Sequence, residues 1–225
     1  MTNTILLDFE STGLHEPQPT EAAWLRFASF TQLFEAEEYV ERFKPGKPIE
    51  LGALATSHIL PHELENCRPH TEFLLPAGID YLVGQNIDYD WKVAGCPDVK
   101  RICTKALAKL VWPGLDSYSQ SPLLYHVLGA NETTRERLRD AHSALADVKN
   151  CRIILQELID ELRLMGYPLR SWEDLWLVSE EARRPKVMPF GKHQGLPIGE
   201  VPRDYKMWLL KQPDVDPYLR QALEA

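Results

Sequence analysis

The feature that most constrains this chain is a short apolar run that ends in acid, Thr4-Ile5-Leu6-Leu7-Asp8-Phe9-Glu10-Ser11-Thr12-Gly13. Residues 4–9 suffice for one buried strand, and Ser11-Thr12-Gly13-Leu14 breaks it with turn chemistry. In a strand, Asp8 and Glu10 leave the same face of the sheet. Two carboxylates that close need a cation or a shared proton. At the end of an apolar strand they are costly unless something cationic sits between them. A pair of magnesium ions, which take hard oxygen ligands, meets that need and points to metal-dependent phosphoryl chemistry. Taken alone, the segment also reads as a solvated strand end with a capping turn.

Two further segments carry the same kind of residue. Asp90 closes Gly84-Gln85-Asn86-Ile87-Asp88-Tyr89-Asp90, just after an expected strand over 79–83, where a loop would run into a helix. Asp90 is the better ligand because Tyr89 precedes it and Trp91 follows it, while Asp88 is expected to be exposed. Asn and Asp both cap helices well, so an N-cap cluster stays open as the alternative. His142 and Asp147 share His142-Ser143-Ala144-Leu145-Ala146-Asp147. Residues five apart on a helix do not superimpose, but these two converge if His142 lies on the loop or first turn before a helix carrying Asp147. An imidazole titrating near neutrality can there take a proton from an attacking water. For His142 alone, a polar residue at a helix start is the plainer reading.

Between these segments the chain reads as an α/β protein. Residues 24–34 suggest a second strand and 40–43 an edge strand, followed by the loop Lys44-Pro45-Gly46-Lys47-Pro48. From 99 to 111 the pattern is helical, with Ile102, Ala106 and Leu110 four residues apart, and Pro113-Gly114 stops it. Residues 122–128 form a second helical stretch ending at Gly129. The strongest helix spans 142–164, with Leu145, Val148, Cys151, Ile154, Leu155, Leu158, Ile159 and Leu162 on one stripe, and Gly166 and Pro168 close it.

A length of 225 residues suits one such domain and a small appendage. The net charge of −8 argues against a non-specific nucleic-acid coater, but not against an enzyme that grips a strand end and lets metal ions meet the phosphates. The charge is uneven. Residues 183–211 hold seven Lys or Arg against Glu200 and Asp204, about +5, so the remainder is near −13. Positive charge is concentrated where an accessory nucleic-acid grip would be useful. The four cysteines, Cys67, Cys96, Cys103 and Cys151, form no CxxC pair, which predicts a reduced, cytoplasmic protein with mostly buried thiols. Met1-Thr2-Asn3-Thr4 has no basic segment before the apolar run, so no secretory leader is expected. Nor does any apolar stretch approach the roughly 18 residues of a membrane span.

Asp8-Phe9-Glu10-Ser11-Thr12-Gly13, Gly84-Gln85-Asn86 to Asp90, and His142 to Asp147 resemble, in order and spacing, the three motifs of the DEDDh (DnaQ-like) 3′–5′ exonucleases. The resemblance spans about residues 4–165. Glu21-Ala22-Ala23 resembles that family's strand after the first motif, and Ala55-Thr56-Ser57-His58-Ile59 its His-containing loop. Ile102-Cys103-Thr104 to Trp112-Pro113-Gly114-Leu115 resembles its helix after the second motif. Phe190-Gly191-Lys192-His193-Gln194-Gly195, followed by Val201-Pro202 and residues 205–210, looks like the FGK-x-x-G module at the C-terminus of exodeoxyribonuclease X-type proteins. Gln85 departs from the pattern, standing where many members have His. All five principal residues remain, so altered grip rather than lost chemistry is expected.

The resemblance implies a ribonuclease H-like α/β fold: a mixed sheet of about five strands flanked by helices on both faces over residues 1–166. A connector at 167–187 and a small C-terminal α+β module at 188–225 would follow. It implies that Asp8, Glu10, Asp90 and Asp147 hold two Mg²⁺ or Mn²⁺ ions and that His142 is the general base. Phe9, Thr12, Gly13 and Asn86, with His58 and Tyr89, would contact the last nucleotide, and Lys192 a phosphate. As a strand residue beside Leu7, Phe9 can equally be core. Phe190, Tyr205 and Trp208 suit base stacking or the small module's own core. The implied activity is a 3′–5′ exodeoxyribonuclease releasing nucleoside 5′-monophosphates from DNA 3′ ends, single-stranded or frayed, in repair or end trimming. A ribonuclease T-like exoribonuclease would use the same site, since nothing in the motifs selects deoxyribose. A non-catalytic nucleic-acid-binding protein with a relic site is the alternative from another class, and the five intact residues argue against it.

Overall fold

Alternation along the first strand sets the architecture. In β1 (Thr4–Ser11), Ile5, Leu7 and Phe9 enter one apolar layer with Trp24 and Leu82, while Leu6 enters the other with Leu25 and Val83. A strand that is apolar on both faces belongs inside a sheet covered on both sides. The computed structural model describes residues 3–139 and 143–225. After β1 come β2 (Pro19–Phe27), β3 (Ala36–Lys44), α1 (Leu51–Ser57), β4 (Arg68–Pro69), β5 (Tyr81–Gly84), α2 (Asp88–Val93) and β6 (Lys100–Cys103). The helical part follows, with α3 (Thr104–Val111), α4 (Gln120–Leu128), α5 (Glu132–Arg139), α6 (Ala144–Leu164), α7 (Trp172–Arg183), α8 (Arg203–Leu210) and α9 (Pro217–Glu224).

The strands form one mixed sheet in the order β4-β3-β2-β1-β5-β6. Pairing is antiparallel between β1 and β2 and between β2 and β3, and parallel between β1 and β5 and between β5 and β6. The fold is therefore α/β, as the sequence predicts, with six strands instead of about five because the two-residue β4 adds one. Helix α6 lies across β1 and β2, with α3, α4 and α7 on the same side. Its buried stripe is Val148, Cys151, Ile154, Leu155, Leu158, Ile159 and Leu162. Burying each large apolar side chain contributes roughly 1.5–3 kcal/mol, so packing rather than helix propensity holds α6 in place.

Several boundaries differ from the sequence reading. Residues 100–103 are strand, not the first turn of a helix, because they complete a parallel ladder with β5 from Tyr81↔Lys100 to Gly84↔Cys103. Ile102 is fully buried in the strand, and a lone apolar residue of that kind suits a buried helix face as well, so spacing alone does not separate them. The second strand runs Pro19–Phe27, and Phe30 and Leu33 are buried from the turn after it. The third strand is longer than 40–43, and β4 covers it only at Phe43 and Lys44, so most of it is an edge. Cys103 and Cys151 are buried, whereas Cys96 is exposed and Cys67 half-buried; all four are free thiols. Among the described residues no helix is long and apolar enough to cross a membrane.

Leu169, Trp172 and Leu175 bury themselves in the core beneath α6. Met188, Ile198, Val201, Leu209, Leu219 and Leu223 form a separate apolar cluster near the C-terminus. Arg183 joins the two. Its side chain is buried, with Nη1 3.3 Å from Asp88 Oδ1 of α2 and donating to the Tyr218 hydroxyl of α9. Its guanidinium carbon lies 5.0 Å from the centre of the Tyr218 ring. Asp88, expected to be exposed, is thus committed to Arg183 and Arg101.

Candidate active site

Asp8 and Glu10 share the side of β1 on which Leu6 meets α6, because residues two apart on a strand point the same way. Asp147 lies in the first turn of α6, where the positive end of the helix favours an acid. Carboxylate oxygens of Asp8, Glu10 and Asp147 all lie within 4.8 Å of one another. Ser143 caps the helix, its Oγ accepting from Ala146 N at 3.3 Å.

Asp90 comes in from the neighbouring edge. The β1–β5 ladder ends at Leu6↔Val83, which leaves the Phe9 N–H without a strand partner, and Asp90 Oδ1 accepts it at 3.1 Å. This approach needs glycine at position 84, where a Cβ would stand 2.9 Å from the Leu7 carbonyl oxygen and 2.8 Å from the Ile87 side chain. Asp90 is 3% exposed. Asn86 sits in the left-handed region at φ 60°, exposed, and no side chain caps α2.

Crowded acids in a poorly hydrated site hold their protons. Burial, then repulsion from Asp147, Glu21 and Asp90, pushes the Glu10 carboxyl up to about 8. Burial pushes Asp90 up to about 8 as well. Asp8 lies well above the usual carboxylate range, through burial first and then Asp90, Asp147, Glu10 and Glu21. Hard oxygen donors that repel one another when ionised are a fitting cradle for a divalent cation.

Two side chains that the sequence did not single out hold this arrangement. Glu21 of β2 is 4% exposed and stands opposite Glu10 in the β1–β2 ladder. Its Oε1 accepts from Arg42 Nε at 3.0 Å and its Oε2 from Ala144 N at 2.8 Å, which ties the start of α6 to the sheet. Gln120, at the start of α4, donates from Nε2 to Asp147 Oδ1 at 2.8 Å. The buried charge of Glu21 inside an apolar strand was a usable signal, since such a group needs partners. Gln120 offers none, being one polar residue in a polar turn.

A cleft of about 450 Å³ opens over the cluster, lined by Asp8, Glu10 and Asp147, by Gly13 and Tyr89, and by Glu50 and Thr56 on the α1 side. The turn after β1 passes close to α1. A Cβ at Gly13, whose φ is +141°, would fall 2.1 Å from the Glu50 carboxylate carbon. The Tyr89 hydroxyl donates to the Gly13 carbonyl at 2.9 Å and also meets Ser11 Oγ. Thr12 is buried, its Oγ1 accepting from Gln18 N at 3.1 Å. Phe9 touches the cleft, but its ring packs edge-on against Phe73 in the core, centroids 4.9 Å apart. His58 is exposed at the left-handed C-cap of α1, and Lys192 is exposed in the C-terminal cluster; neither lines the cleft. His142 lies outside the described residues. Gln85 bridges elements at the end of β5, donating to the Tyr118 carbonyl at 2.7 Å and accepting from Thr104 Oγ1 at 2.6 Å.

A cleft of about 530 Å³ lies at the other end of the parallel strands, beside Asp80, Lys100, Arg101 and Trp176. Its cations are already engaged, Lys100 by Glu173 and Trp176 and Arg101 by Asp88. The acidic cleft lies instead at the carboxyl ends of β1 and β5, where open α/β sheets place their ligands.

The chain is 30% identical over 190 residues to Exodeoxyribonuclease 10 of Escherichia coli strain K12, a match covering 80% of each chain. It matches Exodeoxyribonuclease 10 of E. coli O6:H1 strain CFT073 to the same extent. No protein-family model matches. Among solved structures, exonuclease X in complex with 5′ overhanging duplex DNA shares the fold with a TM-score of 0.55 at 20% identity, over 77% of this chain and 99% of that one. E. coli exonuclease I in complex with a dA16 oligonucleotide gives a TM-score of 0.55 at 20% identity, over 83% of this chain and 44% of that one. A zinc-bound exonuclease I–single-stranded DNA complex gives 0.53 at 20% identity, over 74% and 42%.

Proposed function

The chain belongs to the exodeoxyribonuclease 10 family, and on that premise we propose that it is a metal-dependent 3′–5′ exodeoxyribonuclease. It would release nucleoside 5′-monophosphates from DNA 3′ ends, in repair or end trimming. The observation that carries this reading is the meeting of Asp8, Glu10 and Asp147 at the floor of an open cleft, with buried Asp90 bound to the same strand. These four residues would hold two Mg²⁺ or Mn²⁺ ions, which when bound supply Lewis acidity at the scissile phosphate, an acidified water and charge neutralisation on the leaving 3′-oxygen.

The chain's own residues supply the rest. His142 is assigned the removal of the proton from the attacking water. Glu21 and Gln120 fix α6 and the Asp147 carboxylate, so that the acids are pre-placed. Gly13 and Tyr89 flank the terminal nucleotide, Thr12 braces the turn that carries Gly13, and the Phe9 backbone lies beside the cleft. Asn86 and His58, both exposed, would meet the nucleotide or the strand at the rim, and Lys192 a phosphate farther along. The separate apolar cluster supports reading residues 188–225 as a module distinct from the catalytic body.

The test is a 3′-end-labelled assay on single-stranded DNA, duplex DNA and RNA of one sequence. Mononucleotides should accumulate from DNA only with Mg²⁺ or Mn²⁺, and Asp8→Asn and Asp147→Asn should abolish them. Release that persists in excess chelator overturns the metal mechanism, and a preference for RNA moves the enzyme to the exoribonucleases.

A further inference from the structure

The sequence leaves the aromatics of the C-terminal cluster with two roles, and their burial separates them. The cluster's core is aliphatic and contains neither Phe190 nor Trp208, which are 47% and 54% exposed. Trp208 is the exposed end of a row of rings whose other members, His193 and Tyr205, are half-buried, Tyr205 packing against the apolar cluster. The His193 and Tyr205 centroids are 4.6 Å apart at 73°, and those of Tyr205 and Trp208 are 5.5 Å apart at 38°. Gly191, at φ +77°, closes the loop onto this row, since a Cβ there would stand 2.8 Å from the Tyr205 hydroxyl. Lys192, exposed, stands between Gly191 and His193 in this loop.

The rings stand in a basic segment. Among the described residues, Lys186, Lys192, Arg203, Lys206 and Lys211 make no ion pair; Lys44, Lys47, Lys92, Lys105 and Lys109 also make none, but they are spread over the catalytic body, whereas these five fall within 26 residues. In a chain of net charge −8 they gather positive charge on one short segment, where a polyanion can meet it. Flat rings interleaved with free cations match an unpaired nucleic-acid strand, because only unstacked bases present their faces to a side chain. In a duplex those faces are covered.

We propose that Trp208, Tyr205 and His193, with Lys192, Arg203 and Lys206, form a platform that binds single-stranded DNA outside the catalytic cleft. The proposal rests on the DNA exonuclease reading above and gives the substrate strand a second point of attachment.

The test compares the full-length parent with Trp208→Ala, Trp208→Phe and Lys192→Ala. Mononucleotide release from a dinucleotide reads the cleft alone. Fluorescence anisotropy of a labelled oligodeoxythymidine of about thirty nucleotides, with Ca²⁺ in place of Mg²⁺, reads the platform. Losing one stacked base should weaken oligonucleotide binding about 5- to 150-fold in Trp208→Ala. Trp208→Phe should recover most of it. Lys192→Ala should lower the slope of log affinity on log salt by about 0.7. Trp208→Ala and Trp208→Phe should release mononucleotide from the dinucleotide as the parent does.

Oligonucleotide binding by Trp208→Ala equal to the parent's, while the parent cleaves the dinucleotide, overturns the platform and leaves the exonuclease standing. A parent that releases no mononucleotide from any DNA overturns the exonuclease reading instead. An equal loss on blunt duplex and single strand would reveal a charge-only grip, and self-association abolished by Trp208→Ala would reveal a protein interface; either overturns the proposal.

Discussion

Without metal, this protein should lose stability as pH rises from 5 to 8. Glu10 is pushed from its ordinary 4.5 to about 8, Asp90 from 3.8 to about 8, and Asp8 moves the same way. In that window the folded chain holds protons that the unfolded chain has released, so each unit of pH removes stability. The stabilising contribution is complete near pH 4, declines through the window and levels off above about pH 8. For Glu10, at about 1.4 kcal/mol per pH unit above its ordinary value, the cost at pH 7 is about 3 kcal/mol. In a chain of this size that lowers the melting temperature by roughly 6–12 °C. Glu41 and Glu173 shift the opposite way, held down mainly by hydrogen bonds from Arg68 and Lys100, and their gain is complete by about pH 5. The window above pH 5 therefore isolates the cluster. Thermal melts in excess chelator, at fixed ionic strength from pH 5 to 8, read the slope, and saturating Mg²⁺ should remove most of it. Asp8→Asn takes one raised carboxyl from the group, so it should flatten the metal-free slope and melt above the parent at pH 7. A parent melting temperature that is constant or rising across the window, or an unchanged slope in Asp8→Asn, would refute the reasoning.

Turnover should require Mg²⁺ or Mn²⁺, and Ca²⁺ should bind yet support little of it, because its looser coordination places the reacting groups poorly; brisk cleavage in Ca²⁺ alone counts against this. His142→Ala should slow the chemical step by about 10²–10⁴-fold with little change in substrate affinity, and should flatten a rate that in the parent rises with pH through the imidazole titration. Unaltered single-turnover rates at neutral pH would remove His142 from the chemistry. Gln120→Leu removes the bond to Asp147 and should weaken Mn²⁺ binding or activity by about 10- to 100-fold with only a small change in the melt. Calorimetric titration with Mn²⁺ checks it, and parental affinity together with parental turnover would make Gln120 incidental.

The part of the fold that presents the acids was legible because its signals are local. Period-two alternation in β1 places Asp8 and Glu10 on one face, and the 3.6-residue stripe of α6 fixes which side of that helix is buried. Tertiary pairing decided what periodicity leaves open. Lys100-Arg101-Ile102-Cys103 fits a helix as well as a strand, and the free edge of β5 settles it as strand. The partners of Asp88 were equally hidden. Arg101 stands 13 residues away and Arg183 95, and nothing local to Asp88 announces them.

Glu21 makes clear why proximity to an acidic cluster is not the same as belonging to it. In the ladder, Glu10, Glu21 and Arg42 occupy successive positions across three strands, so Glu21 is a direct neighbour of one of the acids. Yet one of its oxygens is taken by a guanidinium and the other by a backbone N–H at the head of α6. Its charge is compensated within the protein, whereas Asp8 and Glu10 have acidic neighbours and no cation in contact among the described residues. A carboxylate satisfied by the fold becomes a strut, and carboxylates left unsatisfied beside it become a site. Satisfying Glu21 through Ala144 also carries that strut to the helix bearing Asp147, so the sheet that presents two of the acids fixes the third.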